Sequence, residues 1–504
     1  MLFLSIVFSR IVLLEKFFYL LFLFVYCINL LSSKYKDMIM IINQLSEYLI
    51  DLKYEDIPKD AIEKAKLCFI DYLAVYLRGL ESENSKIAIK TIYELYGDGF
   101  NSLNKGFING IASHSLDLDD GHRLAQLHPG SIVFSTVLAL ATDENLSMDL
   151  SAEEFFEAVI AGYEIAIALG MLVNPDHRNQ GFHSTGTIGS ITSGAVASKL
   201  LKLSQEKTEH CLGLCATQSS GLLEADHAGT MGKSLHVGNA VYNGILSAFL
   251  AKNGFTGGES LIDGKEGFIK AMASDLYGRH CDEKGNFDYS KISAFIDMNL
   301  KKSHINNVYL KKYPFCRHIH SAIDSTLALK EDLNELNLDD LDNISSIDIE
   351  TYKIASEHDN FNPKNIQDLK QSLPYAVAIS LVSNDLSLDS IDELIENGLF
   401  SDDASEAEIL RIKDIANKIN IRNVEELNQL TPDKRPSKVI ILFKDKTLEN
   451  TTYYPLGEVE NPLREEDILE KFRLINPKFN MNKLQIIKQM EDYSIYEVFE
   501  ELEL

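Results

Sequence analysis

From residue 41 to about residue 273 the chain carries one helical hydrophobic pattern after another, and this feature constrains its fold more than any other. Apolar residues recur three or four positions apart, beginning with Leu45 and Leu49, which is the spacing of one face of an α-helix. Two of the predicted helices, 188–201 and 238–250, are rich in Gly, Ala and Ser. Small side chains allow helix axes to approach closely, so we expect these two helices at the centre of an all-α domain.

The pattern changes near residue 275, and two later segments predict β-strands. Residues 345–351 alternate between polar and apolar side chains, and residues 438–443 form a short apolar run. The helical patterns that lie among them are 321–331, 372–383 and 406–420. We therefore predict a mainly α protein. Its parts are an all-α helical domain at 38–275, a smaller α+β lid domain at 276–455, and C-terminal helices at 456–504 that return to the helical domain.

Residues 1–37 continue neither pattern and form a hydrophobic N-terminal extension. The apolar run from Phe17 to Leu31 is shorter than the roughly 20 residues of a membrane-spanning helix. No A-x-A-like cleavage site precedes Lys34. Met38 and Met40 stand where the amphipathic pattern begins, so we expect translation to start at one of them. A membrane anchor is the alternative.

Charge and cysteine content narrow the partners of the chain. The net charge is −27 at pH 7, which argues against nucleic acid because phosphate backbones bind basic surfaces. The six cysteines are dispersed, without the paired spacing of a zinc site or the cysteine set of an iron–sulfur cluster. We therefore expect no metal and a reduced, cytoplasmic location. An anionic substrate would need a locally basic pocket in so acidic a chain.

The most unusual stretch, residues 112–130, places three carboxylates and three imidazoles between two apolar helical patterns. The side chains are those of His114, Asp117, Asp119, Asp120, His122 and His128. Aspartate is rarely buried unless it is paired, which favours a solvated cleft. A polar turn between two helices remains an equal alternative for this stretch alone.

Three further segments carry basic residues where the chain is otherwise apolar or rich in glycine. Residues 179–189 contain His183 directly before a predicted helix, whose free N–H groups favour anions; a simple helix cap is the alternative role of His183. Lys233 stands at the entrance of a small-residue helix, which favours a pocket over a solvated position. Arg317, in the segment 310–320, offers a bidentate fork for a carboxylate where a cleft between domains is expected. An inter-domain salt bridge is its alternative.

Together these segments resemble the MmgE/PrpD family, whose members include 2-methylcitrate dehydratase, cis-aconitate decarboxylase and iminodisuccinate epimerase. The resemblance covers roughly residues 41–472 and rests on several motifs in the order of the family. The motifs are HSLDLDD at 114–120, HPG at 128–130, GFHSTGT at 181–187, KSLH at 233–236, GFTG at 254–257 and KYPFCR at 312–317.

The resemblance implies a large all-α domain, a smaller α+β lid, a homodimer, and neither a metal nor an organic cofactor. The catalytic residues that it implies are Asp117, His128, His183 and Lys233. The substrate-binding residues that it implies are Lys311, Cys316, Arg317 and His236. The chain departs from the family at Gly121, where threonine is usual, and so lacks one hydroxyl near the expected site.

The chemistry of these residues agrees with a reaction at a carbon next to a carboxylate. Such a C–H bond becomes acidic only when the developing charge is neutralised, which Lys233, Lys311 and Arg317 would do. His128 and His183 have the pKa range of an acid and a base. We expect a cofactor-independent lyase acting on a small di- or tricarboxylate, most of all a 2-methylcitrate dehydratase-like hydro-lyase. Decarboxylation of cis-aconitate and epimerisation of iminodisuccinate are the alternatives.

Asp117 is expected to orient one of these histidines and to define its tautomer, with direct acid–base action as the alternative. The spacing of Asp117 and Asp120 also fits the DxDD acid of a carbocation cyclase, but such sites need aromatic walls and the chain has no tryptophan. A non-catalytic dimeric protein that binds carboxylates is the remaining alternative, because of Gly121.

Overall fold

The computed structural model describes residues 40–146, 148–281, 287–336, 341–383, 385–444 and 446–504. The hydrophobic run at 17–31 and Met38 lie outside these residues. Within them the protein is mainly α-helical, as predicted, with one four-stranded sheet.

The large domain is built from helices alone in the part of the chain that the structure describes. Its α-helices are Ile41–Asp51, Lys59–Leu80, Glu83–Tyr96, Ser102–His114, Pro129–Ala141, Ala152–Val173, Asp176–Asn179, Ser184–Leu200, Gln205–Thr217, Glu224–His227, Gly232–Lys252, Phe268–Met272, Ser274–Arg279 and Tyr289–Asn299, joined after the small domain by Glu465–Ile475, Gln485–Lys488 and Ile495–Glu501.

The two small-residue helices lie at the centre of the large domain, as their composition predicted. In helix Ser184–Leu200 every residue except Lys199 is buried, and it packs along helix Gly232–Lys252. A Cβ atom on Gly244 would lie 2.6 Å from the backbone nitrogen of Gly194. Only glycine therefore permits this crossing, which places the start of each helix at the same side of the domain.

One described helix, Ala152–Val173, is long and apolar enough to cross a membrane. Of its apolar window, 89% is buried inside the protein, and Phe155, Phe156 and Tyr163 pack in the main hydrophobic core. Apolar surface all round a helix is also the mark of a core helix in a large domain. Because Ala152–Val173 is buried inside the protein, it is a core helix of the large domain.

The small domain combines short helices with a sheet of four strands, whose order across the sheet is second, first, third and fourth along the chain. The strands are β1 Ile344–Thr351, β2 Ile419–Asn423, β3 Ser437–Phe443 and β4 Lys446–Thr452. β1 pairs with β2 in parallel and with β3 antiparallel, and β3 and β4 form a hairpin. The helices of this domain are His320–Glu335, Lys353–Ser356, Ile366–Lys370, Leu373–Val382, Leu388–Glu396, Ala407–Asn417 and Glu425–Asn428.

The sequence predicted β1 and β3 but not the two edge strands. The helix expected at 406–420 ends at Asn417, and the chain then joins the edge of the sheet as β2. β4 has the sequence KTLENTT, with no buried residue. Exposed edge strands are often charged or polar, so neither the apolar alternation nor the apolar run that mark a buried strand is present.

Two hydrophobic cores divide the chain at about residue 311. The first core continues through Ile292, Ile296 and Leu310, and the second begins at Tyr313. Residues 287–310 therefore pack with the large domain, not with the smaller domain that was expected to begin at 276.

The C-terminal helices pack into the first core, where Ile468, Phe472 and Val498 are buried. The last two of these helices, Gln485–Lys488 and Ile495–Glu501, are separated by residues 489–494.

Candidate active site

A cavity of about 320 Å³ lies between the two domains, within the usual size range of small-molecule sites. Seven of the eight predicted site residues line it: Asp117, His128, His183, Lys233, Lys311, Cys316 and Arg317. The large domain provides the first four, and the segment that joins the two domains provides the last three. The exposed side chain next to Lys311, that of Lys312, points away from the cavity.

The loop after helix Ser102–His114 forms one wall of this cavity. Asp117 has a φ angle of 53°, a left-handed conformation that is uncommon for a residue other than glycine. Buried lysine ammonium groups donate to three carbonyl oxygens of the loop: Lys370 to Ser115 at 2.9 Å, Lys311 to Asp117 at 2.8 Å and Lys471 to Leu118 at 2.9 Å. These contacts stabilise an otherwise unfavourable backbone.

Asp117 lies between two lysine side chains. Its Oδ1 accepts hydrogen bonds from Lys311 at 2.8 Å and from Lys233 at 3.0 Å. Burial opposes ionisation of the carboxyl, but the two ammonium groups outweigh it and hold the pKa of Asp117 well below its usual value. Burial likewise opposes the charge of Lys233, but Asp117 and Asp226 outweigh it and raise the pKa of Lys233 well above its usual value. The result is a charged cluster in which two ammonium groups share one oxygen of Asp117.

The expectation that Asp117 orients His128 or His183 is wrong, because Asp117 accepts its side-chain hydrogen bonds from two lysines. The neighbouring Asp119 contacts a different histidine, His114. Asp119 Oδ2 lies 2.7 Å from Nδ1 of His114 and accepts from the Ser131 hydroxyl at 2.5 Å. Burial raises the pKa of Asp119, but His114 and His128 outweigh burial and lower it. Asp119 does not line the cavity, so it acts from behind the histidines.

Asp120 is also an interior residue and not part of a solvated cleft. The Tyr163 hydroxyl donates to its Oδ2 at 2.6 Å, and the Gly130 backbone N–H donates to its Oδ1 at 2.9 Å. Burial raises its pKa to about 7. Of the three aspartates in this stretch, Asp117 is the one that faces the cavity.

His128 has the tautomer and the protonation state of a general base. Its Nδ1 lies 2.6 Å from the backbone oxygen of Asp120, and because a carbonyl only accepts, Nδ1 carries the proton. Burial lowers the pKa of His128 to about 3, so the ring is neutral at physiological pH. Its Nε2 therefore has a free lone pair, and the residue lines the cavity.

His183 and His236 form a pair of neutral rings. Their Nδ1 atoms lie 3.1 Å apart, so one of them donates and the other accepts. Burial holds the pKa of His183 well below its usual value and lowers the pKa of His236 to about 4. The His183 side chain does not cap helix Ser184–Leu200. His236 lies outside the cavity lining, and its contact is with His183, whose tautomer it sets.

Arg317 is buried and uses its donors within the protein. Its Nη1 donates to Leu456 O at 2.8 Å and lies 3.0 Å from His320 Nδ1. Its Nη2 donates to Pro455 O at 3.1 Å, and its Nε donates to Glu458 at 3.2 Å. The guanidinium thus holds the turn at 455–458 and offers the cavity no free bidentate fork. This arrangement is closer to the salt bridge that the sequence left as an alternative.

One group of described residues places three metal-ligating atoms within 4.8 Å of one another: His114, Asp119 and His128. The Nδ1 atoms of both histidines are already used, one toward Asp119 and the other toward the Asp120 carbonyl. The Nε2 atom of His114 is buried without a hydrogen-bond partner among the described residues.

Comparison with known proteins assigns the fold and the site to one family. The family model described as the MmgE/PrpD N-terminal domain matches residues 43–277, and that of the MmgE/PrpD C-terminal domain matches residues 313–492. The chain belongs to the MmgE/PrpD family. This confirms the family that the motifs predicted.

Curated relatives of the MmgE/PrpD family are similar to this chain over most of its length. The cis-aconitate decarboxylase of Aspergillus terreus is 25% identical over 86% of this chain and 88% of its own. The human cis-aconitate decarboxylase is 24% identical, over 88% and 90%, and the mitochondrial 2-methylcitrate dehydratase of Yarrowia lipolytica is 26% identical, over 86% and 83%. Decarboxylases and dehydratases are lyases, so the predicted enzyme class is confirmed.

Gly121, where this chain departs from the usual threonine of the MmgE/PrpD family, pairs with Tyr309. The two backbones exchange hydrogen bonds of 3.0 and 2.8 Å. A Cβ atom on Gly121 would overlap the hydroxyl and the ring of Tyr309, which lines the cavity. The tyrosine therefore occupies the space of the missing side chain and supplies a hydroxyl there.

The cavity lining also includes residues that the sequence did not predict, among them Arg178, Tyr309, His358 and Arg435. The guanidinium of Arg178 has no hydrogen-bond partner among the described residues and is free to bind a carboxylate. Arg178 stands directly before the segment 179–189 and five residues before His183, so its charge was a usable signal. The other three lie in segments without any motif and reach the cavity only through the tertiary fold.

Proposed function

We propose that this protein is a lyase that removes a proton next to a carboxylate of a small tricarboxylate, with His128 as the base. The observation that carries the proposal is that the neutral His128 ring faces the same cavity as the Lys233–Asp117–Lys311 cluster. A base and a positive cluster in one cavity are what such a proton abstraction requires.

Charge stabilisation by the Lys233–Asp117–Lys311 cluster should lower the reaction barrier more than proton abstraction by His128 does. Removing a proton next to a carboxylate places negative charge on the carboxylate oxygens, and fixed positive groups stabilise that charge without reorganisation. Lys311 is buried, and Lys233 is held by Asp117 and by Asp226, 3.4 Å away. Arg178 is available to bind a second carboxylate of the substrate.

We propose dehydration of 2-methylcitrate as the first candidate reaction and decarboxylation of cis-aconitate as the second. The second is supported by the relatives named cis-aconitate decarboxylase, which match this chain over as much of its length as the dehydratase does. Epimerisation of iminodisuccinate stays a prediction from the resemblance.

The test is turnover of these three acids by the purified protein, followed by proton NMR. Dehydration appears as a new alkene without loss of carbon, decarboxylation as release of carbon dioxide, and epimerisation as proton exchange without a change in composition. His128→Asn should abolish dehydration or epimerisation, which need a base, while the surface variant Lys312→Ala should retain the activity. Tight binding without turnover of any of the three would favour the non-catalytic alternative.

We also propose a homodimer in the cytoplasm, as the family resemblance and the dispersed cysteines suggest. Light scattering during size-exclusion chromatography would measure the mass of the assembly. Cell fractionation of the full-length chain would test its location, and a membrane-bound pool would contradict this part of the proposal.

A further inference from the structure

The reaction proposed above also needs a proton donor, and the histidines of the large domain do not supply one. Burial lowers the pKa of His128 to about 3 and of His236 to about 4, and holds that of His183 well below its usual value. Neutral imidazoles of this kind accept protons but are poor acids. The acid must therefore come from another part of the cavity wall.

Cys316, from the segment that joins the two domains, and His358, from the small domain, form a contact in the cavity wall. Their Sγ and Nε2 atoms lie 3.5 Å apart, and both residues are buried while lining the cavity. The backbone N–H of Cys316 donates to Lys370 O at 2.8 Å, and the His358 carbonyl accepts from Leu373 N at 2.9 Å. The pair is thus fixed by its backbone as well as by its side chains.

The surroundings shift the pKa values of Cys316 and His358 toward the charged form of the pair. Burial opposes both charges, but the mutual attraction of thiolate and imidazolium outweighs it, lowering the pKa of Cys316 and raising that of His358. Lys233 supports the thiolate and Asp226 supports the imidazolium, whereas Asp117 opposes the thiolate and Arg178 opposes the imidazolium. The ring of His318 stacks 6.0 Å away.

The remaining nitrogen of His358 is free. Its Nδ1 makes no hydrogen bond to the described residues and is not enclosed by them, while the residue lines the cavity. A protonated ring held at Nε2 by a thiolate therefore presents an N–H donor to whatever occupies the cavity.

We propose that His358 is the general acid of the lyase reaction and that the Cys316 thiolate is its counter-ion. This proposal rests on the function proposed above. In a dehydration, His128 takes the proton from carbon, the C–O bond breaks, and the His358 Nδ1 proton passes to the departing oxygen, which leaves as water. In a decarboxylation, the bond to the departing carbon dioxide breaks and the same proton goes to the carbon that gains the electron pair. Exchange with solvent then restores both histidines after a dehydration, and His358 alone after a decarboxylation.

The first test measures the thiolate without any turnover. In a Cys281→Ser background, alkylation of Cys316 by iodoacetamide is followed by peptide mass spectrometry from pH 5 to 9. We expect the wild-type pair to react at pH 6, and His358→Gln to slow that reaction more than tenfold while leaving the rate at pH 9 within threefold. Equal rates at pH 6 with and without His358 would overturn the pair.

The second test measures the acid itself. His358→Gln should lower kcat by about a hundredfold or more, as expected for loss of a general acid, with little change in KM, and should remove the high-pH limb of the kcat profile. The matched control is Lys353→Gln, on the exposed side of the helix that leads to His358. A kcat within twofold of wild type would overturn the assignment. Absence of turnover by the wild-type protein would instead overturn the proposed function, whatever the alkylation rates.

Discussion

At the scale of the residue, burial separates lysines that are adjacent in the sequence. Lys311 is 1% exposed and contacts Asp117, whereas Lys312 is exposed with its ammonium group over the ring of Tyr313. Lys233, from a distant helix, contacts the same carboxylate. The position of a lysine in the fold, and not the residue type alone, therefore decides whether it contacts Asp117.

Lys233→Ala should therefore lower kcat/KM about a hundredfold or more, since loss of one group that stabilises transition-state charge costs about 3 kcal/mol. Lys312→Ala should change it by less than about twofold, as for other surface substitutions. The measurement is kcat/KM on whichever acid is turned over, with thermal melting as the check on folding. Comparable losses in the two variants would show that Lys233 does not serve the site.

At the scale of the element, helix Ala152–Val173 carries one carboxyl into the core. Glu164 is buried, accepts one hydrogen bond from Ile305 N at 3.3 Å, and has no partner for its second oxygen. Burial raises its pKa to about 8. The folded protein therefore holds this proton up to a higher pH than the unfolded chain does, and its contribution to stability is lost as the pH rises toward 8.

Glu164→Gln removes that titration and should make the protein relatively more stable as the pH rises. We expect the difference in melting temperature, variant minus wild type, to increase between pH 5 and pH 8 and to level off above it. The solvated Glu153, on the same helix, gives the matched control Glu153→Gln. A difference that stays constant with pH in Glu164→Gln would contradict the raised pKa.

At the scale of the whole molecule, the C-terminal segment contacts the loop that forms one wall of the cavity. Lys471 donates to Asp71 at 2.6 Å and to Leu118 O at 2.9 Å, and all three groups are buried. The partners are 400 and 353 residues away in the sequence. The end of the chain thus stabilises the loop that carries Asp117.

Lys471→Met should lower the free energy of unfolding by about 3–5 kcal/mol, because it leaves a buried carboxylate without its partner. The double variant Asp71→Asn/Lys471→Met should recover much of that stability but not the activity, since Leu118 O still lacks its donor. Chemical denaturation and kcat/KM separate the two effects, and Lys478→Ala, at an exposed position of the same segment, is the control. Full recovery of activity in the double variant would show that the loop does not depend on Lys471.

The sequence by itself determined the helical class, the buried strands β1 and β3, and the motifs that surround the cavity, because hydrophobic period and residue type are local properties. Only the tertiary structure decided which polar atoms meet. In the folded protein the donors of Arg317 bind the turn at 455–458, and Asp119 contacts His114. His358 contacts Cys316, which is 42 residues away in the sequence. The reason is physical: hydrogen bonds and ion pairs depend on distances of a few tenths of an ångström, which are set by how glycine-rich helices cross and how two domains pack, and no local pattern specifies these.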